Sequence, residues 1–123
     1  IEFAARLTEH NLHIYVLGGT LKLGTVDIVG AEALGALRRY NFTKVFLGTN
    51  GISESQGFTT PDPEAAALKF LAASKAQTVY MLADSSKFGR VTAATILPLD
   101  GARIITDKLP DRKYLDCTDI IAV

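Results

Sequence analysis

Short runs of apolar residues recur along this sequence, and each stops abruptly at glycine or at small polar residues. The clearest runs lie in KVFLGTNG, TVYMLAD and ARIITD. A sheet with one wet face alternates apolar and polar residues, whereas continuous runs are typical of parallel strands that are buried on both faces. Amphipathic segments separate the runs. The pattern therefore predicts an α/β fold, with a mostly parallel sheet flanked by helices.

The remaining elements follow from turn and cap signals along the chain. Strands are also predicted in HIYVLGGT, over Ile14 to Leu17, and in DIIAV, and helices in AEALGALRRYN and LPDRKYLDC. The clearest helix follows Asp62, which can cap it, with Pro63 at its first position. The segment ISESQGFTTP predicts a loop. Val91 to Leu99 is compatible with an edge strand or with an irregular crossover.

Composition excludes several classes of protein. The 123 residues suffice for one domain, and 13 basic residues against 13 acidic ones leave no basic surface of the kind that duplex binding needs. The longest apolar run, Val79 to Ala83, is far shorter than the roughly 20 residues that cross a bilayer. A single cysteine, Cys117, fits a reducing compartment. We expect a cytoplasmic protein with no membrane contact, no metal and no cofactor.

The ends of the predicted strands carry the groups that could bind a ligand. Parallel sheets bind ligands outside the carboxyl ends of their strands, which here are GGT, GTNG, DSSKFG and TD. Glycines allow close approach of the backbone, and hydroxyl, amide and carboxylate groups can bind a hydroxylated molecule. Lys87 and Arg90 favour an anionic component such as phosphate. Taken singly, each loop is better explained as ordinary turn and cap chemistry, and it is the recurrence of such loops at successive strand ends that favours a binding site.

Three motifs carry a family resemblance. In order and spacing, LGGTLK, VFLGTNGI followed by GFTTPDPEAAALK, and LADSSKFGR resemble the effector-binding domain of DeoR-family bacterial transcriptional repressors. The resemblance implies a fold similar to ribose 5-phosphate isomerase and glucosamine 6-phosphate deaminase. It also implies a sugar phosphate or other small phosphorylated metabolite as the partner.

Two parts of the family pattern are not found in this sequence. One is the winged helix-turn-helix that would contact operator DNA, and the other is the first sheet strand with its Ser-Gly-Thr-Thr type phosphate loop. We therefore expect residues 1–123 to form one truncated sensor domain that reaches DNA only through the missing domain. The sheet edge left open by the missing strand predicts self-association, so we expect a homo-oligomer.

The resemblance also implies a set of binding residues. They fall on the two glycine-rich strand ends, on the helix after Asp62 and on the DSSK loop: Gly18, Gly19, Gly48, Asn50, Gly51, Glu64, Lys69, Asp84, Ser86 and Lys87. Physical reasoning from the strand ends agrees on the GTNG and DSSK loops. It differs over Lys69, which by itself predicts a solvated helix face.

These observations favour a sensor and leave two alternatives. A ligand that binds one arrangement of the domain more tightly would change operator affinity in the intact repressor. The related fold also hosts isomerases and deaminases, for which Asp84, Glu64 and Lys87 could supply acid and base groups, although we expect no enzyme activity. The third possibility is an oligomerisation module whose loops bind nothing.

Overall fold

The computed structural model describes residues 2–25, 27–108 and 110–123. In chain order the elements are α1 (Glu2–Thr8), β1 (Thr20–Leu21), β2 (Ile28–Val29), α2 (Ala31–Leu37), β3 (Phe42–Gly48), β4 (Gly51–Ser53), β5 (Gly57–Thr60), α3 (Pro63–Ser74), β6 (Ala76–Leu82), β7 (Ala94–Leu97), β8 (Arg103–Thr106), α4 (Arg112–Leu115) and β9 (Ile120–Ala122). Two short 3-10 turns, Ser85–Lys87 and Leu99–Gly101, complete the set.

The main sheet has four strands in the order β3-β6-β8-β9, and every neighbouring pair is parallel. The predicted α/β class is therefore confirmed. Helix α3 lies in the connection from β3 to β6, and α4 lies between β8 and β9. Because all four strands run in the same direction, their carboxyl ends lie at one edge of the sheet. We call this edge the carboxyl edge.

The helix predicted after Asp62 begins where the cap signal places it. The Asp62 carboxylate accepts a hydrogen bond from the Glu64 backbone N–H at 3.0 Å, and Pro63 occupies the first helical position, where no N–H is needed. The face of α3 that is buried consists of small residues, Ala65, Ala66 and Ala73. Helix α4 is capped in the same way by Asp111, whereas Leu109 of the predicted LPDRKYLDC helix lies outside the described residues.

A second sheet replaces the loop that ISESQGFTTP predicted. Strands β4 and β5 form an antiparallel hairpin, and β7 pairs with β5 at the other edge. The loop prediction is wrong because tertiary burial overrides the polar composition of this segment: Phe58 and Ile52 are fully buried. The ambiguous segment from Val91 to Leu99 thus contains an edge strand, Ala94–Leu97.

The strand predicted over Ile14 to Leu17 does not form. These residues have no ladder partner among the described residues, and Tyr15 is 85% exposed. The segment instead lines a cleft of about 420 Å³ together with α2 and Phe42 at the start of β3. An apolar, β-branched sequence is not sufficient for a strand, because the backbone groups need a neighbouring strand to bond.

The hydrophobic core lies between one face of the main sheet and the smaller sheet. Met81 and Ile104 contribute from the main sheet, and Ile52 and Phe58 contribute from the smaller one. The other face of the main sheet is more open, since Phe46 stacks on Tyr80 at 5.1 Å between ring centroids yet remains 55% exposed. In the described part of the chain, no helix is long and apolar enough to span a bilayer.

Candidate functional site

The loop after β3 is held by hydrogen bonds to β5. The backbone N–H of Asn50 and the hydroxyl of Thr49 each donate to the Thr59 carbonyl at 2.9 Å. The Thr60 hydroxyl donates to the side-chain oxygen of Asn50, also at 2.9 Å. These bonds fix the GTNG segment as a rigid turn at the carboxyl edge, with Gly48 and Asn50 exposed to solvent.

The loop after β6 is organised by Asp84. Its carboxylate oxygen Oδ1 accepts a hydrogen bond from the Ser86 backbone N–H at 2.9 Å and another from the Ser86 hydroxyl. The short 3-10 turn Ser85–Lys87 therefore begins at a capped position, as a helix would. The hydrogen bonds from the Ser86 side chain and backbone lower the pKa of Asp84 below its ordinary value.

Asp107 joins the loops after β6 and β8. Its carboxylate accepts a hydrogen bond from the Ser85 backbone N–H at 2.7 Å, which is the main cause of a lowered pKa for Asp107. Two carboxylates, Asp84 and Asp107, thus lie side by side at the carboxyl edge, and each is ionised at neutral pH. Ionised carboxylates accept hydrogen bonds from hydroxyl groups, which is what recognition of a polyol requires.

Acid should loosen this pair of loops. Both folded-state pKa values lie below the ordinary 3.8, so the carboxylate hydrogen bonds contribute fully at neutral pH. Their contribution decreases as the pH falls below about 3.8 and through the lowered pKa values. We expect the Ser85 and Ser86 amides to lose protection from hydrogen exchange as the pH falls below about 3.8, measured by NMR after correction for intrinsic rates. The Gly89 amide, which bonds a carbonyl, is the control; equal loss at Gly89 would contradict the expectation.

The loop after β6 is also tied to the smaller sheet. The Gly89 backbone N–H donates to the Ile52 carbonyl at 2.7 Å, and Phe88 forms a bridge with Ile52. The Phe88 ring packs edge-on against the buried Tyr114 ring of α4, with centroids 5.0 Å apart. The GTNG and DSSK loops are therefore both held by the smaller sheet, GTNG through β5 and DSSK through Ile52 of β4.

Lys69 reaches the carboxyl edge from α3. Its ammonium Nζ donates to the carbonyl of Gly48, the last residue of β3, at 2.9 Å. Burial lowers the pKa of Lys69, and the nearby Asp27 opposes that shift. The reading of Lys69 as a solvated helix residue is thus wrong, because the side chain turns inward to the end of β3.

Among the described residues, no carboxylate directly contacts the two lysine side chains of the site. In the part of the chain that the structure describes, neither Lys69 nor Lys87 forms an ion pair. The ammonium of Lys69 has three N–H donors, of which the Gly48 carbonyl accepts one. A half-buried ammonium with donors to spare is suited to bind an anion.

Three of the proposed residues lie apart from these contacts. Gly18 and Gly19 lie against the second helix and its preceding strand: a Cβ on Gly19 would approach the Ile28 side chain and the Val29 carbonyl oxygen to 2.9 Å. Glu64 lines a cleft of about 330 Å³ between the amino-terminal ends of α2 and α3. Among the described residues, no hydrogen bond joins either place to the DSSK loop.

Sequence reasoning missed three charged contributors. Asp107 belongs to the TD strand end but was not among the expected binding residues, and a short Asp after a strand gives little signal of its own. Lys22 forms an ion pair with Asp62, and Asp27 lies near Lys69. Both come from an irregular hairpin whose position depends on tertiary packing.

A polar cleft of about 370 Å³ lies at the opposite edge of the main sheet, where β6 and β8 begin. It is lined by Gln77, Arg103 and Asp119, among others. Arg103 is already paired with Asp119 at 3.6 Å. Ligands of open parallel sheets bind outside the carboxyl ends of the strands, so we place the candidate site at the carboxyl edge.

Comparison with known proteins gives a consistent family assignment. The family model of the DeoR C-terminal sensor domain matches residues 1–108. An uncharacterised HTH-type transcriptional regulator, FruR of Bacillus subtilis, is 44% identical over 100 residues, which are 81% of this chain and 40% of that protein. The HTH-type transcriptional regulator GlpR of Haloferax volcanii is 40% identical over 87 residues, 71% of this chain and 34% of that protein.

A third relative is the lactose phosphotransferase system repressor of Streptococcus mutans, which is 30% identical over 106 residues, 85% of this chain and 42% of that protein. The chain thus spans about two-fifths of the length of the relatives it matches. The family match covers both the GTNG and the DSSK loops. This chain belongs to the DeoR C-terminal sensor domain family.

Proposed function

We propose that this chain binds a phosphorylated sugar or related metabolite at the carboxyl edge of its main sheet. The observation that carries the proposal is the half-buried Lys69 ammonium, which donates to the Gly48 carbonyl and pairs with no carboxylate among the described residues. Two further N–H donors of Lys69 would bind phosphate oxygens. Lys87, in the neighbouring loop, adds a second positive charge.

The remaining groups of the site suit the sugar part of such a ligand. The two hydrogen bonds that the Asp84 carboxylate accepts from Ser86 both end on Oδ1, so Oδ2 is available to a sugar hydroxyl. Asp107 and the Asn50 side chain add acceptors and donors at the same edge. Gly48, which is open at its Cβ position, would allow the backbone to approach the ligand. Gly19 and Gly51 would act indirectly, by letting the protein's own segments pack closely beside the site, and Gly18 and Glu64 would border it.

We further propose that ligand binding is the input of a DNA-binding transcriptional repressor of sugar metabolism. The relatives named as HTH-type regulators and as a repressor support this reading, as does their greater length. A ligand that binds two domain arrangements unequally would shift operator affinity by the difference in binding free energy. Operator contact would come from a separate DNA-binding domain. The open face of the main sheet around the exposed Phe46 would support assembly of an oligomer.

Calorimetric titration tests the binding proposal. We expect heat of binding with at least one member of a panel of pentose and hexose phosphates, and none with the corresponding unphosphorylated sugars. Lys87→Ala should weaken the interaction, because one charge-assisted contact is lost. Silence across the whole panel would contradict the proposal and would favour an oligomerisation module.

The same samples discriminate a sensor from an enzyme. After prolonged incubation with the protein, we expect ribose 5-phosphate and glucosamine 6-phosphate to be recovered unchanged by NMR. Turnover that Asp84→Asn abolishes would show instead that the carboxylate acts as an acid or base. The regulators among the relatives make the sensor the better-supported reading.

A further inference from the structure

Helix α1 is not packed into the core of the protein. It has 7 residues, none of them is buried, and Phe3 is 73% exposed. The hydrogen bonds and ion pairs that the structure describes for residues 2–18 all stay within that segment, as the Arg6–Glu2 pair does. Phe3 and Leu7 are four residues apart and so lie on the same side of the helix. Because a helix this short is not stable in water by itself, its apolar side requires a surface to pack against.

The main sheet has one apolar face that remains exposed. Met81 and Ile104 face the core, together with alanines of α3 and Tyr114 of α4. Side chains alternate along a strand, so the residues that flank Met81 and Ile104 face the other way, as do their partners in register. We call this other surface the open face, and it includes Lys44, Phe46, Tyr80, Leu82, Ile105 and Ile121. Phe46, Leu82 and Ile121 are 55%, 45% and 43% exposed.

Helix α1 and the open face match each other in chemistry. Parallel sheets are almost always covered on both faces, and helices are the usual cover. Here the sheet lacks a cover on one face, and an apolar helix lacks a surface. The charges also agree: Lys44 lies on the open face and Glu9 directly follows α1, and neither belongs to an ion pair among the described residues. Opposite charges at the rim of an apolar contact favour one orientation of the helix.

The available area favours two copies that exchange their helices. Packing one α1 on one open face would remove on the order of 600 Å² of surface from water, given the exposed fractions of these aromatic and aliphatic side chains. One such contact is smaller than the roughly 1,200 Å² at which specific interfaces begin, whereas two equivalent contacts reach that area. A two-fold exchange also closes on itself, because each copy gives one helix and receives one.

We propose that two copies of this chain form a two-fold dimer in which α1 of each copy packs on the open face of the other. Phe3 then lies against Phe46 and Tyr80. Because the interface is at the small end of the specific range, the dimer dissociates on dilution. The inference specifies the oligomer that the proposed function includes. It needs no ligand, so failure of the sugar-phosphate titration and failure of the dimer are separate results.

Sedimentation velocity of the full 123-residue chain, from low to high micromolar concentration, tests the dimer. The helix variant is Phe3→Glu and the face variant is Phe46→Lys. Phe70→Glu is the matched control, because Phe70 is 56% exposed on α3, which packs on the core side of the sheet. Leu82→Lys is a second face variant on another strand, and circular dichroism establishes that each variant is folded.

We expect a concentration-dependent dimer in the parent protein and in Phe70→Glu. Phe3→Glu and Phe46→Lys should each weaken dimerisation about tenfold or more, because each replaces a central aromatic residue in both contacts of its own dimer. Leu82→Lys should weaken it in the same direction. Loss of dimerisation in the helix variant is the result that a dimer formed by the sheets alone does not produce.

An equimolar mixture of Phe3→Glu and Phe46→Lys tests the exchange itself. A mixed dimer has one helix–face contact in which both partners are unchanged, and in the other contact the two introduced charges are opposite. We therefore expect the mixture to associate about threefold or more tightly than either variant alone.

Four results would overturn the exchanged dimer. They are a parent protein that stays monomeric at the highest concentration, a Phe3→Glu variant that dimerises like the parent, a mixture no tighter than its components, and an equal loss of dimerisation in Phe70→Glu. The first would also be seen if α1 folded back onto its own sheet, and the second if two open faces or two β3 edges packed together. Recovery of association in the mixture, with Phe70→Glu unchanged, supports the proposal.

Discussion

Replacing Gly51 by alanine is expected to cost about 3 kcal/mol of folding free energy, the upper end of what an extra methyl group costs in a packed interior. Gly51 is buried at the start of β4, and a Cβ there would lie 2.6 Å from the Thr59 hydroxyl and would also collide with the Arg90 carbonyl oxygen. The Arg90 oxygen belongs to backbone and cannot rotate away. Relief requires the segment after Phe88 to move away from β4, and that segment continues the DSSK loop.

Gly48 provides the matched control for Gly51→Ala. It lies three residues earlier at the same edge, and a Cβ there would meet nothing within 4 Å. Gly48→Ala should therefore change stability little, by about 1 kcal/mol or less in either direction. Urea unfolding followed by circular dichroism measures both variants. If both lose stability equally, the close approach of the Arg90 segment to β4 is not what requires glycine at position 51.

The contrast between these two glycines shows what a sequence can and cannot predict here. Both were expected at a ligand pocket, because glycine after a strand permits close approach of the backbone. The structure gives Gly51 a packing role, since the close neighbour is the protein's own Arg90 and Thr59, whereas Gly48 remains open and bonds Lys69 through its carbonyl. A glycine indicates that another group approaches the backbone closely. Only the tertiary structure shows whether that group belongs to a ligand or to the protein itself.

The parallel strands and α3 could be predicted because their signals are local. Continuous apolar runs define the four strands of the main sheet, and Asp62 with Pro63 defines the start of α3 without reference to the rest of the fold. The β4–β5 hairpin was missed because its burial comes from distant residues, such as Leu97 opposite Phe58. The prediction of a strand at Ile14 to Leu17 was wrong although its local signal is strong, because no strand among the described residues pairs with this segment.

The candidate site likewise contains some residues that local sequence signals predict and others that they do not. The GTNG and DSSK loops follow directly from where strands end, so residue order was enough to find them. Lys69 was found only through the family resemblance, because helix periodicity cannot show that a long side chain turns toward Gly48, 21 residues earlier. The ion pair between Lys22 and Asp62 joins residues 40 positions apart, and neither the strand ends nor the family resemblance predicted it.

Replacing Lys69 by methionine should weaken binding of a phosphorylated ligand by about 1.5–3 kcal/mol, the usual contribution of a hydrogen bond to a charged group. The expected loss of affinity is therefore tenfold to somewhat over a hundredfold. Methionine matches the length of the lysine stem, so packing along α3 should be retained. Titration calorimetry with the best ligand of the sugar-phosphate panel measures the change.

The effect of Lys69→Met on stability should have the opposite sign to its effect on binding. Burial lowers the pKa of Lys69, which means that the folded protein disfavours the charge when no ligand is present. Removing that charge should leave the urea midpoint unchanged or raise it, whereas a residue kept for stability would lower it when replaced. Lys75 lies at the carboxyl-terminal end of the same helix, and its carbonyl accepts a hydrogen bond from the Phe42 backbone N–H at the opposite edge of the sheet. Lys75→Met should therefore leave the affinity for the ligand unchanged. Equal affinity in Lys69→Met and the parent would show that the anion binds elsewhere, and the proposal of a phosphate position at the end of β3 would fail.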